Sequence, residues 1–506
     1  RMIHDHGAGG HINCLSELFE DVGGVIRIDT LPIGDPTLSA REILCNESQE
    51  RMGLLMAAAD VALLERIAER ERAPMYVVGE VTGDHQIQFV DDSGSKPFAL
   101  STDMLFGSSP RTVLADSALP INGGLVSAAV EDAHDLLSLL KQVLSLEGVA
   151  SKDWLTNKVD RSVTGRIALQ QCTGPLQLPL NDYGAVALDF RAESGIATAI
   201  GHASVAGLVA ERAGSVLSIA EALTNLVFAP LKDGLSTVAL SANWMWPAKQ
   251  LGEDVRLYRA VQAASQFACA LGIPIPTGKD SLSMTMNYPD GEAVRAPGTV
   301  VISAMGECVS TRHCVTADLK PVPASRLLYI DLSGESRFPL GGSAFAQVRG
   351  VVGSDYPTVR NPGRFKAGLE AIQRWIAAGK VLAGHDVSSG GLLVTLCEMA
   401  FAGASGMTLN LNERGEVLIA RLFCEKPGVV LQIADQDVAE VQKTFAAIGL
   451  KAEEVARPGG NDIRLVAPDF AFSASWRDLC RVWFRPSTLL DRSEERRVGK
   501  ECRSRW

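Results

Sequence analysis

The sequence predicts an α+β protein in which one structural unit occurs twice around a different central domain. Three observations carry that expectation. The phrase His4-Asp5-x-x-x-Gly9-Gly10, followed by Leu15 and Glu17, recurs as His385-Asp386-x-x-x-Gly390-Gly391, followed by Leu396 and Glu398, six identities at one constant offset. Fixed register over so long a separation, in a chain without low-complexity sequence, marks a duplicated unit. The elements read around each phrase follow the same order, and the stretch between the copies has its own pattern of strands and long helices.

In the first copy, Ile12, Leu15, Leu18 and Phe19 recur at helical spacing after the Gly-rich turn at 7–10. Leu54–Ala59 then reads as a buried strand, Val61–Arg70 as a helix and Met75–Val81 as a strand. The second copy repeats this order with a helix over 392–402, a strand over Val429–Ala434 and a helix over Val438–Ala447 ended by Gly449; a helix-like run, Phe365–Leu382, precedes it. The first copy has no such run before it, so the chain is expected to start inside a repeat, as the interior of a longer protein. Strand signals at Ala185–Phe190 and Val238–Leu240 and helices over 205–228 and 255–271 define the central domain. Pro-bearing stretches at 289–297 and 321–323 read as loop and linker. The expected divisions are a first-unit remnant over 1–107, the central domain over 108–324, a nearly whole second unit over 325–485 and a tail over 486–506. From Asp491 the tail holds five arginines, one lysine and three glutamates with almost nothing apolar. Such a stretch cannot pack a core and reads as non-native sequence or as a disordered, solvated end.

A length of 506 residues implies about three domains. The net charge of −11 argues against general affinity for nucleic acid or anionic membrane and leaves small anionic metabolites as the better partners. Ten scattered cysteines without a C-x-x-C pair fit reduced thiols and a cytoplasmic location. No apolar run approaches the roughly 20 residues that span a bilayer.

Glu221 and Asn225 stand four apart within a long helix, which puts both on one face. Two oxygen donors there suit magnesium, which shares oxygen ligands with nucleotide phosphates; the alternative is a polar helix face. Asp182 sits at a turn before a strand, where loop carboxylates approach ligands. Asp386 precedes Ser388-Ser-Gly-Gly391, and Asp5 precedes Gly7-Ala-Gly-Gly10. A Gly-rich turn opening a helix offers unshared N–H groups to an anion, or serves packing alone. Gly278-Lys-Asp-Ser281 supplies a cation, a carboxylate and a hydroxyl without P-loop spacing, as a phosphate contact or a surface turn. Asn46-Glu-Ser-Gln-Glu-Arg51 packs six polar residues at a strand entrance. His6, His11 and His202 read as structural, and Trp244 and Trp246 as core or cleft-wall aromatics.

Taken together, HDHGAGG (4–10), CNESQERM (45–52), ERAPMYVVGE (71–80), DRSVTG (160–165), EALTN (221–225), SANWM (241–245), PTGKDS (276–281) and GGLLVTLCEMAFAG (390–403) resemble the phosphoribosylformylglycinamidine synthase family in its long single-chain form, in family order over residues 3–484. The resemblance implies duplicated aminoimidazole-ribonucleotide-synthetase-like halves, each an antiparallel-sheet domain followed by an α/β domain, with the first half truncated here. It implies an ATP-dependent ligase of purine biosynthesis: formylglycinamide ribonucleotide, glutamine, ATP and water become formylglycinamidine ribonucleotide, glutamate, ADP and phosphate. By resemblance Asp182, Glu221, Asn225 and Asp386 match magnesium ligands and Asp5 matches the metal-binding aspartate of the first copy. Asn181, Ser388 and Gly278 match nucleotide contacts, and Glu47, Ser48, Gln49 and Ser281 match substrate contacts. The second-half nucleotide site is expected to be auxiliary and structural. The family's catalytic histidine and the glutaminase cysteine that releases ammonia match no residue here, so this polypeptide alone is expected to be inactive.

Overall fold

The computed structural model describes residues 2–47, 50–108, 113–119, 123–156, 158–159, 161, 165–191 and 193–503, with side chains described as far as Asp491. Ser48 and Gln49, expected in the substrate loop, lie outside the described residues. Contacts divide the chain into two units, Arg1–Val113 and Leu114–Trp506.

In the first unit the strand Met2–Asp5 pairs antiparallel with Met52–Leu55, and the helix Gly10–Leu18 covers one face. A four-stranded sheet runs in the order Gly79–Val81, Gly24–Arg27, Gln86–Val90, Phe98–Ser101. Leu15, Leu18, Phe19, Ile26, Ile87 and Phe89 form its core. The buried strand expected over Leu54–Ala59 is corrected in two respects. It ends at Leu55, with Ala58 and Ala59 in the helix Ala58–Arg70, and Met52 and Leu54 stay about half exposed. A two-stranded ribbon covered on one side leaves alternate residues to solvent, whatever their polarity.

The second unit opens with the helix Ala133–Leu144. Its six-stranded sheet has the order Thr277–Ser281, Ala239–Met245, Thr299–Cys308, Gly195–His202, Tyr183–Ala187, Ile167–Leu169, antiparallel except for the first pair. The expected helix over 205–228 breaks at Ala210 into Ser204–Val209 and Glu211–Leu226; Glu253–Leu271 packs beside the latter. Gly201 is what lets the Glu211–Leu226 helix lie against its strand, because a Cβ there would meet the Ala222 nitrogen at 2.2 Å and the Ser218 oxygen at 2.3 Å.

A seven-stranded sheet follows, in the order Val381–Val387, Gly428–Ala434, Ser325–Asp331, Ala452–Pro458, Met407–Asn410, Asp462–Val466, Ala471–Ser475. Only the Met407–Asn410 and Asp462–Val466 pair is parallel. The Val381–Val387 strand leads through the Gly-rich turn into the helix Gly391–Gly403, and it pairs antiparallel with Gly428–Ala434 just as Met2–Asp5 pairs with Met52–Leu55. The run read as a helix over Phe365–Leu382 is the helix Pro362–Ala377 followed by the start of that strand.

The two sheets of this unit share one hydrophobic core. Phe228, Phe267 and Ile302 from the first sheet and the helical layer on it pack in the same cluster as Phe365, Ile372 and Leu431 from the second sheet and its helix. Gln373 locks the junction: its amide donates to the carbonyls of Val227, at 2.5 Å, and Ala229, at 2.8 Å, and its oxygen accepts from Leu231 N at 3.0 Å. These bonds satisfy carbonyls of the segment that follows the Glu211–Leu226 helix. At the C-terminal end the helix Trp476–Arg503 passes through 485/486 without a break. Trp483 is buried and donates to Val149 O at 2.9 Å, and Ser487 accepts from Trp154 N at 2.7 Å.

Replacing Gly201 by alanine drives a methyl into helix backbone that has no room to yield. We predict a loss of about 1–3 kcal/mol, read as a lower urea midpoint with an unchanged slope; an unaltered midpoint would contradict this packing.

Candidate metal and nucleotide site

Three separate segments of the second unit converge beside the second Gly-rich turn. Asp182, in the turn before Tyr183–Ala187, places Oδ1 2.6 Å from His385 Nδ1, and its Oδ2 accepts the backbone N–H of Asp386 at 3.1 Å. His385 Nδ1 is also 3.4 Å from Asp386 Oδ1, and its Nε2 is 3.4 Å from Glu398 Oε2. Ligand-capable atoms of Asp182, His385 and Asp386 all lie within 4.8 Å of one another. The side chains of Asp182 and Asp386 are only 3% and 4% exposed.

Local structure dictates this arrangement. Tyr183 anchors the Asp182 turn by donating to both Phe228 O and Val315 O. Gly384 lets the Val381–Val387 strand press on Phe228, since a Cβ there would lie 2.2 Å from the ring. That approach brings Asp386 toward the helix carrying Glu221. Glu221 Oε2 accepts His202 N at 2.5 Å, and Asn225 Nδ2 donates to Ile200 O at 2.8 Å, so both side chains reach the end of the Gly195–His202 strand.

The electrostatics show the convergence most directly. Burial drives the Glu221 carboxyl well above its usual range, and the negative charges of Asp386, Glu425 and Asp182 add to the effect. Burial pushes Asp182 up to about 6 against the opposing pull of His385. Burial also works against charge on His385, but Asp182, Asp386 and Glu398 overcome it and hold the imidazole well above its ordinary value. Burial pushes Glu425 up to about 7, opposed by the N–H groups of Gly390 and Ala344. Lys152 is lowered by burial while Glu398 pulls it upward. Five interacting carboxylates thus face two cations, His385 and Lys152. A hard divalent cation would offset the excess, and the oxygen-rich donor set suits magnesium. Among the described residues Asp386 Oδ2 and Asn181 Oδ1 are buried acceptors without a hydrogen-bond partner, which fits the same conclusion.

Of the residues expected here, Asp182, Glu221 and Asp386 form one electrostatic group and Asn225 stands beside Glu221. Ser388 lies in the same turn as Asp386, and Asn181 is fixed by donating to Gln170 O and Cys172 O. Gly278 and Ser281 are not part of this group. They sit on the edge strand, four strand spacings from the Asp182 strand, roughly 19 Å. Asp5, at the matching place in the first copy, is 73% exposed, and Glu47 accepts Gly9 N at 3.3 Å. His6 and His11, read as structural, are buried and in contact at 2.9 Å.

Sequence reasoning did not assign His385, Glu398 or Glu425 a role. The first two were visible as repeated letters. His4 and Glu17 make the same histidine–glutamate pair in the first copy, so the repeated phrase encodes an ion pair as well as a turn.

Comparison with known proteins agrees with the duplicated architecture. The family description "AIR synthase related protein, C-terminal domain" matches residues 1–92 and again 332–463, covering both copies, and "FGAR-AT PurM_N-like domain" matches 151–307 between them. The phosphoribosylformylglycinamidine synthase of Homo sapiens is 39% identical over 90% of this chain and 35% of its own length. A probable chloroplastic/mitochondrial counterpart from Arabidopsis thaliana is 39% identical over 89% of this chain and 33% of its length. The chain therefore spans about a third of the curated relatives it matches. Among solved structures, Thermotoga maritima PurL complexed with ATP aligns over 90% of this chain and 63% of its own, at 16% identity and a TM-score of 0.55, and shows a shared fold.

The raised carboxyls give a signed pH dependence. Asp182 and Glu425, ordinarily near 3.8 and 4.5, rise to about 6 and about 7 on folding. Without a cation, the folded chain is favoured while these groups stay protonated and loses stability as pH climbs through those values. We predict that excess EDTA lowers the melting temperature little near pH 5 and progressively more toward pH 8, by calorimetry. Insensitivity to EDTA across that range would contradict a cation-filled cluster.

Proposed function

We infer that the chain belongs to the phosphoribosylformylglycinamidine synthase family and that it contributes the synthetase core to the ATP-dependent conversion of formylglycinamide ribonucleotide to formylglycinamidine ribonucleotide. In this reading the cytoplasmic enzyme draws ammonia from a glutaminase domain that corresponds to no part of these 506 residues. Such a transfer depends on charge neutralisation and alignment more than on a covalent intermediate.

The convergence of Asp182, Glu221 and Asp386 is the observation that carries the reading for the second copy. These three, with Asn225, would hold magnesium, and Asn181 and Ser388 would contact a nucleotide. Magnesium would neutralise the phosphates when bound. The residues of the chain orient it: Tyr183 fixes the Asp182 turn, His202 N holds the Glu221 carboxylate, and the Asp386 N–H fixes the Asp182 carboxylate.

The two copies are assigned different tasks. Asp386 is almost fully buried, whereas Asp5 is largely exposed. By resemblance the second copy would clamp a nucleotide and the first copy would hold the reacting site, around Asp5 and Glu47. The chain alone is proposed not to turn over ATP.

The reading is tested by calorimetric titration of the full chain with ADP and magnesium. The expected result is magnesium-dependent binding with one site per chain, weakened roughly tenfold or more in D386N and E221Q. Undiminished binding in both variants, or none by the wild-type chain, would overturn the assignment.

A further inference from the structure

Glu425 lies outside every motif that pointed to the site, yet it holds the turn on which the site is built. One carboxylate oxygen, Oε1, accepts the backbone N–H of Gly390 at 2.7 Å and that of Ala344 at 2.8 Å. Gly390 is the left-handed residue (φ 93°) that opens the Gly391–Gly403 helix, and Ala344 is the first residue of Ala344–Val348. One oxygen therefore ties together the N-termini of two helices, where backbone N–H groups lack helical partners and favour negative charge.

The first copy is made the same way. A Cβ on Gly391 would lie 2.6 Å from the Phe423 carbonyl carbon and 2.9 Å from Cys424 O, and a Cβ on Gly10 would lie 2.4 Å from Asn46 O and 2.8 Å from the Cys45 carbonyl carbon. In each copy the second glycine of the turn thus admits the segment that carries a glutamate to the N–H of the first: Glu425 to Gly390 and Glu47 to Gly9. The correspondence escapes a constant-offset comparison, because the two glutamates lie 35 and 38 residues beyond their glycines. The contacts differ in strength. Glu47 makes one bond, at 3.3 Å, from an exposed position, whereas Glu425 makes two shorter ones.

Between Asp386 and Gly390 the chain has only a few residues in which to adjust, and Ser388 is among them. Fixing the Gly390 nitrogen fixes the path of that segment. Asp386 is fixed at the other end by its N–H bond to Asp182 and by pairing with Val429. The turn is thereby held at both ends, one through Asp182 and the other through Glu425.

We propose that Glu425 is a positioning residue for the magnesium nucleotide of the second copy, setting the 386–391 turn so that Asp386 and Ser388 meet their ligand. The proposal rests on the reading given under Proposed function, and its test separates the two. Dissociation constants for ADP at saturating magnesium are measured by calorimetry on the full wild-type chain and on E425A, E425Q and E425D, with melting temperatures recorded alongside. Both N–H groups converge on one oxygen, so the amide oxygen of glutamine can accept both bonds, whereas alanine has no acceptor and aspartate is one methylene too short.

The expected result is a dissociation constant raised at least about tenfold in E425A and E425D and within about threefold of wild type in E425Q. A structural role alone would lower the melting temperature of E425A or E425D and leave nucleotide affinity below that temperature unchanged, which would overturn the proposal. Equal losses in E425Q and E425A would also overturn it, because charge rather than placement would then matter. E425D keeps the charge, so the comparison remains decisive if E425A does not fold. No binding by the wild-type chain overturns the underlying reading, whereas wild-type binding that D386N weakens and E425A and E425D leave intact overturns this proposal alone.

Discussion

The second unit is organised around an unfavourable concentration of like charge. Asp182, Glu221 and Asp386 interact within a desolvated region, with Glu398 and Glu425 close by. A buried carboxylate without compensation costs several kcal/mol. The chain offsets part of that cost with its own groups: His385 between Asp182 and Glu398, backbone N–H donors from His202, Asp386, Gly390 and Ala344, and Lys152 beside Glu398. Much of the neighbouring architecture maintains these contacts. Gly201 and Gly384 allow close approach of backbone and ring, and Tyr183 and Gln373 tie the segments at the junction of the two sheets.

Duplication accounts for the part of that charge carried by the repeated unit. Each copy consists of a strand, two left-handed glycines, a helix, and a second strand that pairs antiparallel with the first. Each also carries a histidine–glutamate pair between strand and helix and a second glutamate on the glycine N–H. The copies differ in burial within this chain. The second is covered by Asp182 and the sheet that carries it, while Asp5 in the first remains open.

The duplicated elements were legible in the sequence because the repeated phrase and the helical periodicity are local signals. The helix Val438–Ala447 coincides with its expected bounds, and Gly391–Gly403 extends the expected helix by one residue at each end. Sheet membership was less legible, since pairing is decided by partners far away in sequence. Met52–Leu55 is apolar and yet half exposed because its ribbon has a single covered face. The expected division at 485/486 falls inside a helix that continues across it, with Ser487 docked by a hydrogen bond. In the site, Asp182, Glu221 and Asp386 could be named from motifs, while Glu425 could not. Its role arises from the space left by Gly391, which no short pattern encodes.

The central claim is that oxygen donors from three separate segments share one divalent cation. Anomalous diffraction from crystals of the chain grown with manganese in place of magnesium tests it most directly. The account predicts a strong anomalous peak within coordination distance, roughly 2.0–2.3 Å, of oxygens from Asp182, Glu221, Asn225 and Asp386. Manganese bound elsewhere, with these four side chains making no metal contact at saturating concentration, would contradict it.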